Sequence, residues 1–70
     1  MGLKLTNREY QILLRMGKEY ADIAHELGLQ INTVVTYTNR IKAKLNTHNK
    51  TSTVLKAIQI GLVDPYQFII

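Results

Sequence analysis

Seventy residues with nine lysines and arginines, five acids and no cysteine carry a net charge of +4. One small domain of this size buries only about 60% of its unfolded surface, so its stability is marginal unless it oligomerises. Without thiols neither a disulfide framework nor a thiolate metal site is available, and no apolar run approaches the ~18 residues of a membrane span.

Thr6-Asn7-Arg8-Glu9 opens the first predicted helix as a capping box, in which the Thr6 hydroxyl and the Glu9 carboxylate each satisfy a backbone N–H. Behind it Tyr10, Leu13 and Leu14 fall on one helical face. Gly17 is expected to end the helix by supplying a left-handed cap. A second helix is predicted over about 19–27, with Tyr20, Ile23, Ala24 and Leu27 as its apolar stripe. Glu19, Asp22 and Glu26 stay outside, and the first two suit the positive end of the helix dipole. Gly28 stops it.

The next stretch, "NTVVTYTNRIKAKL" over 32–45, is ambiguous by composition, because Thr33 to Thr38 are nearly all β-branched or aromatic. Geometry decides for a helix. At about 100° per residue Val34, Tyr37, Thr38, Ile41 and Leu45 share one core stripe, and Asn32, Val35, Thr36, Asn39 and Ala43 lie opposite. A strand would split Val34 from Val35 and leave Ile41 and Leu45 without a pattern.

Asn46-Thr47-His48-Asn49 is a predicted loop, followed by a fourth helix over about 51–60. Val54, Leu55, Ala57, Ile58 and Ile60 cover more than one of its faces, an excess of apolar surface that marks an interface. Asp64-Pro65 breaks the chain, and the tail over 64–70 is unusually apolar.

Charge is divided unevenly along these elements. Residues 1–26 balance Lys4, Arg8, Arg15 and Lys18 against Glu9, Glu19, Asp22 and Glu26, whereas 27–63 carry Arg40, Lys42, Lys44, Lys50 and Lys56 and no acid. A basic half without carboxylates suits an anionic partner, nucleic acid first. Ala24, Gly28 and Val34 also stand at helix-turn-helix offsets within about 20–39, and only three residues separate Leu27 from Ile31. In such a unit the second helix, here about 31–45, enters the major groove. Asn32 and Asn39 are then suited to adenine, Thr36 to donate or accept, and Val35 to a thymine methyl, with Lys42 and Lys44 on opposite flanks toward the phosphates.

Together "LTNRE" at 5–9, "IAHELGL" at 23–29, "NTVVTYTNRIKAKL" at 32–45 and "GLV" at 61–63 resemble the LuxR/GerE/FixJ/NarL type of DNA-binding domain over nearly the whole chain. The resemblance implies an all-α fold, a tri-helical core plus a dimerisation helix, in a single domain over 1–70. By position it implies base-facing Asn32, Val35, Thr36 and Asn39, and backbone contacts from Thr33, Arg40, Lys44, Lys50 and Thr51. Lys50 and Thr51 open the fourth helix, whose N-terminal amides also suit a phosphate. Val54, Leu55 and Ile58 are the expected homodimer contacts.

This sequence departs from the family pattern in four places. Val35 replaces the usual lysine, removing a cationic contact and favouring T-rich sites. Gln30 stands where a serine usually caps the recognition helix, so that Asn32 is a candidate cap in its place. The first helix is shorter before Gly17, and Tyr37 replaces a histidine.

The function expected is a stand-alone, sequence-specific regulator of transcription that binds double-stranded DNA as a cytoplasmic homodimer, with RNA polymerase or a larger regulator as further candidate partners. The competing reading is an interaction module that pairs through its fourth helix and tail with a larger regulator and disables it. The opening methionine suits a whole small protein or a piece of a longer one. An enzyme is not expected, since there is no nucleophile–base arrangement, carboxylate pair or Gly-rich phosphate loop. Cofactors and metals are not expected either, and His25 and His48 have no second ligand at metal spacing. The lipidation-like start Met1–Thr6 is discounted because Thr6 caps a helix, and the Asn49-Lys50-Thr51 triplet because nothing supports secretion.

Overall fold

Four α-helices occupy the residues described by the computed structural model, 4–69. They are α1 (Asn7–Leu13), α2 (Tyr20–Leu27), α3 (Ile31–Leu45) and α4 (Lys50–Gln59), followed by a 3₁₀ turn at Pro65–Gln67. Met1, Gly2 and Leu3 of the lipidation-like pattern, and the last residue of the apolar tail, Ile70, lie outside the described residues.

The capping box forms as the sequence implied. Thr6 Oγ1 accepts from the Glu9 N–H at 3.1 Å, and Glu9 Oε1 accepts from the Thr6 N–H at 2.8 Å. The other end of α1 differs from expectation, because Gly17 is not a left-handed cap. The helix stops at Leu13, and the chain tightens into i→i+3 bonds, Arg15 N–H to Ile12 O, Met16 to Leu13 and Lys18 to Arg15. Those bonds satisfy the last carbonyls without a left-handed residue, and they turn Met16 into the core.

Each of the other three helices ends in one repeated device. Gly28, Asn46 and Gly61 have φ of 66°, 56° and 78°. The following amides of Leu29, Thr47 and Leu62 reach back to Ala24, Lys42 and Ala57 at 2.8–2.9 Å, closing Schellman turns. Glycine adopts that backbone without a Cβ penalty, and asparagine is one of the few other residues that visits it routinely. Asn49 then caps α4, its side chain accepting from the Ser52 N–H at 2.8 Å, so α4 begins at Lys50.

The centre of the fold is α3, which packs against each of the other three helices. It buries Val34, Thr38, Ile41 and Leu45 against Ile12, Leu13 and Met16, Ile23 and Ala24, Ala57 and Val63. That burial against three helices explains why a run of β-branched residues stays helical: tertiary packing of one face outweighs weak local propensity. Leu62 and Phe68 pack against the same core, and the Ile69 N–H donates to Leu14 O at 2.8 Å, so the tail folds back along the end of α1. No helix among the described residues is long and apolar enough to cross a membrane.

Candidate nucleic-acid interface

Gly28, Leu29 and Gln30 join α2 to α3. Gln30 occupies the N-cap position with an extended backbone, yet its side chain makes no capping bond. Asn32 does not replace it: it lies inside the first turn of α3, fully in the helix and exposed. The capping role expected of Asn32 is thereby corrected, because a side chain at the second helical position is already past the amides that a cap must reach. Its amide is left facing solvent.

Along the exposed face Asn32, Thr36 and Asn39 are accessible and Val35 is half-buried, so the four expected base-facing residues share one side of α3. Thr36 is partly committed, because its Oγ1 donates to the Asn32 carbonyl at 3.0 Å. Ile31, which has no place in the core stripe or among the expected base-facing residues, is 50% exposed one turn before Val35 on the same edge. An apolar residue one i+4 step from Val35, outside the core stripe, was the signal that marked it.

The cations divide into those held within the chain and those that are not. Lys44, expected at the phosphate flank, donates to Glu9 Oε1 at 2.6 Å and to the Lys4 carbonyl at 3.2 Å. Glu9 is only 2% exposed. Burial pushes its carboxyl upward, but the Lys44 ammonium and the Thr6 amide outweigh that and hold it below the ordinary carboxylate range. Lys50 lies over the Tyr20 ring, 4.1 Å from its centroid, and donates to the Lys18 carbonyl at 3.3 Å.

Arg15 and Lys18 both pair with Glu26, at 3.2 and 2.5 Å. Led by the Lys18 hydrogen bond, they keep that exposed carboxyl below its ordinary range. Arg40 stacks over Tyr37 at 5.3 Å. The ion pairs among the described residues involve Arg15, Lys18 and Lys44, so Arg40, Lys42, Lys50 and Lys56 keep charges that no acid here neutralises. Thr33 is half-buried, and Thr51 is exposed at the start of α4.

The apolar excess on α4 also divides. Val54 and Ile58 are half-buried and help close the core, whereas Leu55 is 54% exposed and Ile60 is also largely open. Leu55 and Val54 line an open groove of about 220 Å³ with Met16, Gly17, Lys50 and Thr51.

The sequence that builds this site is similar to those of known proteins. Residues 3–57 match the family model for bacterial regulatory proteins of the luxR family, a span running from the N-terminal end through most of α4. Over 62 residues the chain is 42% identical to the HTH-type quorum sensing-dependent transcriptional regulator VjbR of Brucella ovis, covering 86% of this chain and 24% of that protein. Over 61 residues it is 38% identical to the response regulator protein VraR of Staphylococcus aureus, covering 84% of this chain and 29% of that protein. The chain thus spans about a quarter of the length of these relatives. With its α2–turn–α3 unit, the chain belongs to the luxR family of bacterial regulatory proteins.

Proposed function

We propose that this chain binds double-stranded DNA in a sequence-specific way and regulates transcription in the cytoplasm as a homodimer, with α3 in the major groove. One observation carries the reading: Asn32, Val35, Thr36 and Asn39 stand together on the solvent side of a helix whose other face is locked into the core. A rigid helix with amide and methyl groups on its open face is what groove readout requires. Arg40, Lys42, Lys50 and Thr51 take the phosphate contacts, with Thr33 beside them. Lys44 contributes field rather than a direct bond, because its ammonium already serves Glu9. Leu55 is the centre of the dimer contact, with Val54 and Ile58 behind it.

Selection of bound duplexes from random DNA, repeated at two salt concentrations, tests this. A single motif should emerge, and affinity should fall roughly a hundredfold or more between about 50 and 200 mM salt, through release of phosphate counterions. No enriched motif at either concentration would reject sequence-specific binding.

A second reading rests on Leu55 and the groove beside it: the chain pairs with a larger regulator of its own family and disables it. Apolar pairing of that kind responds weakly to salt, since few ions are released. A partner complex whose affinity is flat across the same range, with no motif selected, would favour it.

A further inference from the structure

What the exposed part of α3 lacks decides which base pairs it can read. From Ile31 to Asn39 there is no lysine or arginine, and the first cation, Arg40, is stacked over the Tyr37 ring. Bidentate bonding to guanine O6 and N7 is characteristic of arginine and lysine in the major groove. The first turns of α3 therefore lack the cationic, bidentate guanine reader.

What they carry instead is amides and methyl groups. Asn32 and Asn39 are exposed, and an asparagine amide matches the N6 donor and N7 acceptor of adenine. Val35 is half-exposed, and Ile31, one turn before it on the same edge, is 50% exposed. The Thr36 hydroxyl has given its one proton to the Asn32 carbonyl, so toward the groove it offers only an acceptor oxygen, which suits the adenine N6 donor, and its methyl. Burying one such methyl in a contact contributes roughly fourfold in affinity.

We infer that α3 is a reader of A·T pairs: Asn32 and Asn39 bond adenine, while Val35, flanked by Ile31 and the Thr36 methyl, packs on thymine 5-methyl groups. The inference rests on the proposed docking of α3 in the groove and adds the chemical class of the site. Thymine-to-uracil replacement tests it, because deoxyuridine removes the methyl and leaves base pairing intact. Duplexes selected from random DNA by the full chain are rebound after thymines within the motif are replaced one at a time by deoxyuridine.

The expected result is a motif with A·T pairs at its contacted positions and a loss of roughly fourfold at each thymine that meets a methyl-bearing side chain. Val35→Ala should erase most of the thymine–uracil difference at one of those positions. A motif dominated by G·C pairs, or uracil duplexes bound as tightly as the parent, would overturn the thymine reading and leave DNA binding standing. Failure to select any motif would overturn both. The uracil comparison uses the unaltered protein, so it holds whether or not the Val35 variant folds.

Discussion

Thr38 sits at the centre of α3 with its side chain wholly buried and its hydroxyl without a hydrogen-bond partner. A buried unsatisfied polar group costs about 1–3 kcal/mol, and valine has nearly the same shape. Thr38→Val should therefore raise stability by about 1 kcal/mol in urea unfolding; a loss would mean that the hydroxyl is bonded in solution. The Glu9–Lys44 pair is the opposite case. Lys44→Ala leaves a buried carboxylate short of its cation and should lower stability at neutral pH by about 1–3 kcal/mol.

The acid dependence of that pair follows from linkage. A carboxyl held below its unfolded value contributes stability above the ordinary carboxylate range, and loses it as pH falls through that range and below. Thermal unfolding across that range should show a steeper acid loss for the native chain than for Lys44→Ala, and equal slopes would refute the coupling. The sequence displayed Glu9 as a cap and Lys44 as a surface cation. Their meeting across α1 and α3 was invisible there, because it depends on tertiary packing and not on spacing.

At the scale of the helices, periodicity settled the type of α1, α2 and α3, including the β-branched start of α3, because four buried residues at helical spacing outweigh local composition. The 3₁₀ turn at Pro65–Gln67 had no such signal. Ends were less legible. Gly17 looked like a left-handed cap and is not one, while Asn46, within a stretch expected only as loop, is one. Which residue takes that backbone depends on where the next helix must go, and a glycine in the sequence does not say. The uncapped start of α3 leads to a direct expectation. Gln30 already has the extended backbone of an N-cap, so Gln30→Ser should add about 0.5–1 kcal/mol by bonding a first-turn amide. Thermal unfolding checks it, and no gain would imply that the Gln30 side chain already bonds there in solution.

For the whole molecule, the basic half of the sequence overstated its free charge. Lys44 and Lys50 are engaged within the chain, which no count of residues could reveal. The apolar excess of α4 was legible in outline. Burial then separated Val54 and Ile58, which help seal the core, from Leu55, which does not. Leu55→Glu should accordingly give a folded monomer in sedimentation, and a persistent dimer would reject α4 as the contact.

Sequence-specific readout by α3 is tested most directly by comparing Asn39→Ala with the native chain on a selected duplex and on its scrambled counterpart at one salt concentration. Affinity for the selected duplex should fall by roughly 5- to 150-fold, the value of one good base contact, with binding to the scrambled duplex unchanged. An equal fall on both duplexes, or none on either, would contradict groove reading by this helix.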